Sequence, residues 1–273
     1  MTRLLLTGAT GFIGSAVARR LAADGHEVVD QRIDLLAASS SDLARFVEDA
    51  DVSHCIHCAW YTNQADYLVH EANRDWLVAS LDLARACRRI RFVGLGTCLE
   101  YDLSSGMPCV EHATPLRPDT LYARCKRDLF DALSELGGDF AWARVFFVYG
   151  PGDRTGRLIP GMLEAFSRGE VARPSNGGLR RDYIHVDDLA SQLVRIATSG
   201  ARGAINTGSG QAPLLSEIFA AGALAFGRPE LAEANDEIGG QPLLIQPDMA
   251  RFCSEVGNLG ARDIATGLRD LVS

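Results

Sequence analysis

Thr7-Gly8-Ala9-Thr10-Gly11-Phe12-Ile13-Gly14 decides how this chain folds. It joins a short apolar run, Arg3–Thr7, to a segment carrying Ile13, Val17 and Leu21 at every fourth position. The run reads as a strand, and the segment as a helix with one apolar stripe. At this spacing the first glycine permits a tight turn, the second lets the backbone approach a pyrophosphate, and the third allows close helix–strand packing. The open N–H groups and the positive dipole end of the helix favour phosphate at that turn. Gly8, Thr10, Gly11, Phe12 and Ile13 are therefore candidate contacts to a dinucleotide.

Outward from this motif, short apolar runs alternate with longer amphipathic ones. Arg3–Thr7, Glu27–Gln31, His54–Ala59, Arg91–Thr97 and Phe140–Val148 read as strands. Ile13–Ala23, Ser41–Glu48, Glu71–Arg88 and Asp119–Leu136 read as helices between them. Several strands are apolar on both faces, which predicts an α/β fold with a doubly wound parallel sheet. After Gly150-Pro151-Gly152 the texture changes to Gly, Pro and Arg. Helices are expected at Leu158–Ser167, Asp187–Thr198 and Pro213–Phe226, and short strands at Tyr183–Val186 and Ala204–Asn206. The expected division is a dinucleotide-binding domain over 1–150 and a smaller, partly interleaved substrate-binding region over 151–273. No internal repeat or linker is present, and no motif is legible beyond Gly227.

Composition excludes several classes. The 273 residues carry 27 Lys and Arg against 35 Asp and Glu, a net charge of −8, and no basic block interleaves with aromatics. A nucleic-acid partner is therefore not expected. No apolar run approaches the roughly 18–20 residues that span a bilayer, and the N-terminal one is too short for a signal peptide. The seven Cys form no paired pattern. Cys55 and Cys58 are spaced as C-x-x-C, but strand alternation sends them to opposite faces, which is wrong for a shared metal. Reduced thiols in the cytoplasm and no metal are the expectation.

The end of the second strand should meet the adenosine ribose. An acidic residue there would bind the 2′-hydroxyl of NAD, and an Arg would favour the 2′-phosphate of NADP. Asp30 and Arg32 offer one of each, in a register open by a position or two. Arg32 tips the reading to NADP; NAD stays possible, and a solvated surface Arg is the plain alternative. Further on, Tyr122 and Lys126 stand four apart in a helix, so phenol and ammonium share a face. A nearby cation lowers a phenol's pKa, which would suit it to proton transfer. Thr97 ends a strand at the sheet's carboxyl edge, where ligands of doubly wound folds bind. Thr97 polarising an oxygen, Tyr122 moving its proton and Lys126 holding the ribose would make a carbonyl–alcohol redox site.

These residues resemble the extended short-chain dehydrogenase/reductase superfamily, in its NAD-dependent epimerase/dehydratase branch acting on nucleotide sugars. The resemblance spans residue 3 to about 225. It rests on T-G-A-T-G-F-I-G at 7–14, H-C-A at 57–59, Asn73, Thr97 with Tyr101, Tyr122 with Lys126, R-V-F-F-V-Y-G-P-G at 144–152 and R-D-Y-I-H-V-D-D-L-A at 181–190. It implies a Rossmann sheet, a nucleotide-sugar substrate and a homodimer packed through the two long helices, Glu71–Arg88 and Asp119–Leu136. By position it implies that Asp34 and Leu35 read the adenine and that Ala59 and Trp60 line the nicotinamide side. Asn73 would brace that site, Phe146 would stand near the nicotinamide, and Arg181 would clamp the substrate's diphosphate. Asp182 and Asp188 read as structural.

The departures from the family pattern narrow the activity. The dehydratase members place Asp and Glu directly after the catalytic hydroxyl, and here Cys98 and Leu99 stand there. Glu100 is one place too late, and reads as a local bridge or a surface carboxylate. Members that epimerise C3 and C5 place a Cys two after the hydroxyl and a His in the Y-G-P loop; here the Cys is one after, and Gly150–Arg157 holds no His. Phe147 replaces an Asn that faces the diphosphate, while Arg154 and Arg157 could meet phosphates, pyranose hydroxyls or only water. Cys98, Phe147 and Arg154 thus join Thr97, Tyr122 and Arg181 as candidate substrate contacts. The expected activity is reduction of a 4-keto-6-deoxy sugar nucleotide. C4 epimerisation with retained NAD, reduction of small aldehydes or ketones lacking a nucleotide, and non-catalytic dinucleotide sensing are the alternatives.

Overall fold

A computed structural model describes residues 2–30, 33–63 and 65–273. The first half runs β1 (Arg3–Thr7), α1 (Phe12–Ala23), β2 (Glu27–Asp30), α2 (Ser40–Ala50), β3 (His54–His57), α3 (Ala72–Ala86), β4 (Arg91–Thr97), α4 (Leu121–Leu136) and β5 (Phe140–Val145). It continues with β6 (Phe147–Tyr149), α5 (Leu158–Ser167), β7 (Arg180–Arg181), β8 (Tyr183–His185), α6 (Val186–Thr198), β9 (Gly203–Thr207), α7 (Leu215–Ala225), β10 (Leu244–Ile245), α8 (Ala250–Glu255) and α9 (Ile264–Val272). Six parallel strands form the central sheet in the order β2-β1-β3-β4-β5-β9. The expected fold class is the observed one.

Both faces of the sheet are covered, which is why its strands read as continuous apolar runs. Leu4, Leu6, Val93 and Ile205 pack with Val17 and Leu21 of α1 and Leu189, Leu193 and Ile196 of α6. Leu5, Cys55 and Phe92 pack on the other side with Leu43 of α2, Leu83 of α3 and Leu129 of α4. Cys55 and Cys58 do fall on opposite sides of the sheet. All seven cysteines are free thiols. Among the described residues no cluster of His, Cys, Asp or Glu could hold a metal, and no helix is long and apolar enough to cross a membrane.

The expected strand Phe140–Val148 is two strands. At Phe146 the chain changes partners: its N–H donates to Thr207 O, whereas the next N–H, of Phe147, donates to Asp182 O. β5 thus stays in the main sheet beside β9, and β6 leaves it to pair with β8. Apolar residues run straight through the switch, so periodicity carries no sign of it. Beyond Gly150 the chain serves two places. β9 and α6 belong to the main sheet and its cover, while α5, α7 and α9 enclose a second core around Phe166, Ile218 and Leu268. β10 and the last two helices lie in the stretch where the sequence shows no motif.

Candidate active site

The glycine loop is built for close approach. Gly8 takes a positive φ of 69°, and a Cβ there would stand 2.8 Å from the Ala59 amide. A Cβ on Gly14 would run into the Gly8 carbonyl. These two glycines let β1, α1 and the end of β3 converge. No side chain caps α1 at Gly11, and Phe12 and Ile13 of its first turn line the cavity at the positive end of the helix dipole. The donor set suits a pyrophosphate.

That cavity has a volume of about 590 Å³. Gly8 to Gly14 line one end, with Ala59 and Trp60 beside them, and Thr97, Cys98, Tyr122, Lys126, Phe146, Phe147, Arg154 and Arg157 line the rest. Residues from across the sequence therefore meet in one crevice at the carboxyl ends of β1, β3 and β4, as a doubly wound sheet requires.

Thr120 caps α4 by accepting the Ala123 N–H, which starts the helix at Leu121. The first turns then bring Tyr122 and Lys126 to the cavity. Lys126 Nζ donates to Leu95 O at 2.8 Å and lies 3.6 Å from the centre of the Trp60 ring. Burial pulls this ammonium down to about 7, against the opposing charge of Glu100. The carbonyl and the indole face both favour the cation, so the side chain is poised between its two forms.

The expectation that Lys126 lowers the Tyr122 phenol is not met. Burial is the largest influence on Tyr122 and pushes it well above the ordinary phenol range, helped by Tyr67, Glu100 and Cys98; Thr97 draws it partly back. The ammonium is spent on Leu95 and Trp60, 5.8 Å from the Tyr122 ring centre. Tyr122 is thus held in its protonated, phenol form.

Glu100 is the largest surprise. It is fully buried, which overturns the surface alternative and leaves the bridge. Its Oε1 accepts the Thr97 N–H at 2.8 Å and Trp142 Nε1 at 3.0 Å, and its Oε2 accepts Arg144 Nε at 2.8 Å. Thr97 and Glu100 form a capping box around the short turn Cys98–Glu100, which fixes the Thr97 hydroxyl at the strand end. A side chain on Gly96 would collide with Trp142 Nε1 and the Glu100 carboxylate, so the glycine makes room for this bridge. Arg144 continues the network to the Tyr101 hydroxyl, which donates to Asn206 Oδ1.

Asn73 is buried and braces the site: its Oδ1 accepts Trp60 Nε1, and its amide donates to Tyr67 O and His70 O. His57 joins Thr7 to Ser80 through both ring nitrogens, and burial drops its pKa to about 3. Tyr67 was missed by the sequence reading. It lines the cavity with its ring 5.2 Å from that of Tyr122, placed there because the Tyr122 N–H donates to Leu68 O. No residue pattern links the two segments. Thr62 was missed likewise; Arg154 reaches across to its carbonyl and hydroxyl.

Other candidates lie apart. Arg181 is not on the cavity wall; its guanidinium donates to Arg180 O, Leu243 O and Gln241 Oε1. Asp182 accepts from Ser209, and Asp188 from Arg262, as structural residues do. Leu35 is buried in the α2–α4 core and Asp34 accepts the Leu36 N–H; neither is among the residues that line the cavity. Arg32 lies outside the described residues.

A glycine loop suited to a pyrophosphate, sharing one crevice with half-buried Tyr122 and buried Lys126, is the arrangement of a dinucleotide-dependent enzyme of the doubly wound class. The chain belongs to the NAD dependent epimerase/dehydratase family, whose pattern its residues 4–208 match. It is 26% identical to a dTDP-4-dehydro-6-deoxy-D-allose reductase of Streptomyces bikiniensis, over 98% of this chain and 94% of the relative. It is 28% identical to a UDP-glucose 4-epimerase of Mycolicibacterium smegmatis, over 85% of each. A UDP-N-acetylglucosamine 4-epimerase from Methanobrevibacter ruminantium, solved with UDP-N-acetylmuramic acid, superposes with a TM-score of 0.87 at 22% identity, over 99% of this chain and 97% of its own. At that identity the superposition speaks for the fold.

Proposed function

We propose that this enzyme is a nucleotide-sugar oxidoreductase, a 4-ketoreductase of 4-keto-6-deoxy sugar nucleotides. The observation that carries the reading is the set of titratable groups on the cavity wall. Among the described residues no His and no Glu lines it, and its one carboxylate, Asp153, is paired with Arg157 at 3.0 Å. The Cys98 thiol is pushed far up by burial, and Glu100 is turned away into its buried bridge. Among the described residues of the wall no unpaired carboxylate and no imidazole is available to take a proton from carbon, which dehydration and C3/C5 epimerisation need, and Lys126 Nζ is engaged by Leu95 O. A hydride step with one proton transfer needs only what is present.

When bound, the reduced nicotinamide supplies the hydride. Thr97 donates to the substrate carbonyl oxygen and Tyr122 gives that oxygen its proton, a role that fits a phenol held in its protonated form. Lys126 would hold the ribose, in exchange for its bond to Leu95 O. In this reading Arg154 and Arg157, which line the cavity, meet the diphosphate. NADPH is the proposed donor, through Arg32. The same reading keeps residues 1–150 as the dinucleotide-binding domain and 151–273 as mainly substrate-binding, and has the enzyme work in the cytoplasm as a homodimer packed through α3 and α4.

The experiment mixes the protein with NADPH and a 4-keto-6-deoxy sugar nucleotide, following nicotinamide absorbance and sugar identity together. Cofactor loss equal to 4-hydroxy sugar formed supports the reductase. Inversion of 4-hydroxy sugar nucleotides with no reduced cofactor consumed refutes it in favour of an epimerase.

A further inference from the structure

Among the described residues, no counter-ion touches the buried ammonium of Lys126. Its hydrogen bond goes to a neutral group, the Leu95 carbonyl, at 2.8 Å. Glu100, the carboxylate that acts on it most strongly, is spent on Thr97, Trp142 and Arg144. The other titratable groups around it are His57, Cys58, Tyr122 and Cys125, and among the described residues none of them bonds to Nζ. An ammonium so placed is costly unless neutral groups solvate it. The Leu95 carbonyl is one such group. The face of Trp60, whose centre lies 3.6 Å from Nζ, is the other; the rings of Tyr122 and Trp142 stand farther off, at 5.8 and 5.9 Å.

Trp60 is itself fixed. Its indole N–H donates to Asn73 Oδ1 at 2.8 Å, and the Asn73 amide nitrogen donates to both Tyr67 O and His70 O, which leaves the side-chain oxygen to face the indole. On its N-terminal side the Ala59 N–H donates to Thr7 Oγ1. The same indole meets the Tyr122 ring edge-on, with centres 6.4 Å apart and planes at 78°. One side chain thus touches both members of the Tyr–Lys pair, and its own supports come from β1 and α3.

We propose that the Trp60 side chain is a positioning residue for Lys126: oriented by Asn73, its indole holds the ammonium while Leu95 O is exchanged for the ribose hydroxyls. The inference rests on the dinucleotide site of the reading above and not on its sugar. Without that face the amine would release Leu95 O with nothing beside it to favour the cation, and burial would drive it toward its neutral form.

Lys126 is the single lysine of the chain, so full-length protein labelled with carbon-13 lysine gives one ε-methylene NMR signal, and its pH dependence is the titration of this amine. The midpoint, about 7 in the parent, should fall by at least about one pH unit in Trp60→Leu. In Trp60→Phe, which keeps an aromatic face without the bond to Asn73, it should fall by less than half as much. In the parent, cross-relaxation between the ε-methylene and the indole protons should persist when NADPH or NADH saturates the site. A Trp60→Leu midpoint within about 0.3 pH unit of the parent, equal falls in the two variants, or loss of the indole contact on cofactor binding overturns the proposal. The last readout needs no variant, so it decides the matter even where Trp60→Leu does not fold. No binding of either dinucleotide would overturn the reading above, with the fall in Trp60→Leu still showing the hold of the indole on the ammonium. Keto-sugar reduction by Trp60→Leu with the parent's pH profile and an unshifted midpoint would do the reverse.

Discussion

Replacing Glu100 by Gln removes one charge from a bridge with no access to water. The carboxylate serves Thr97 N–H, Trp142 Nε1 and Arg144 Nε at once, and the side chains of Glu100 and Arg144 are 0% and 1% exposed. A Gln has one acceptor for three donors, and its amide nitrogen is turned toward either the indole or the guanidinium. Arg144 is left charged and unpaired in the core, since its other partners, Tyr101 and the Glu111 carbonyl, are neutral. Breaking a buried pair from one side costs about 3–5 kcal/mol. We expect the lower end, about 3 kcal/mol, because Gln retains one acceptor. For a chain near this size that lowers Tm by about 6–12 °C. Thermal unfolding of Glu100→Gln measures it. Arg144→Met should cost a similar amount, and the double variant Glu100→Leu/Arg144→Met less than the sum of its single changes, because no lone charge remains. A Glu100→Gln Tm within about 2 °C of the parent, or strict additivity of the pair, would refute this account of the bridge.

Tyr122→Phe should lower turnover by about 10²–10⁴-fold while leaving dinucleotide Kd within about threefold; an equal loss of binding would mean that the phenol holds cofactor rather than moving a proton. Lys126 is held down to about 7 by burial, whereas an unfolded Lys titrates near 10.4, so between pH 7 and 9 the unfolded chain binds the extra proton. Stability therefore rises with pH through this residue, by about 2 kcal/mol over that window, and Lys126→Met should remove that rise in denaturant unfolding. Parallel pH profiles for the two proteins would contradict it. Gly14→Ala drives a methyl into the Gly8 carbonyl, so dinucleotide binding should weaken at least about tenfold, read by nicotinamide fluorescence; unchanged Kd would show that the loop can yield.

The parts legible in the sequence are those where one residue type is needed for a local reason. Glycines at 8, 11 and 14 mark the turn by their spacing, and Tyr122 with Lys126 share a helical face by spacing alone. What stays hidden depends on partners far along the chain. The break at Phe146 is a change of hydrogen-bond partner inside an unbroken apolar run. Tyr67 reaches Tyr122 because one backbone amide meets Leu68 O. Glu100 reads as a possible surface acid because nothing local shows that Trp142 and Arg144 converge on it. Arg181 fits a family pattern, yet its guanidinium is satisfied by Leu243 and Gln241 in a stretch with no motif. The phenol of Tyr122 is misjudged from the sequence because spacing gives proximity to Lys126 but says nothing of burial.

The most direct test of hydride delivery to a keto sugar uses NADPH deuterated at the transferred position. The product of a 4-keto-6-deoxy sugar nucleotide is then examined by mass spectrometry and NMR. One deuterium per product, at C4, with one cofactor oxidised for each, is the predicted result. A product with no deuterium, or, in a parallel run with unlabelled NADPH in D2O, solvent deuterium at a carbon next to C4, would contradict the account.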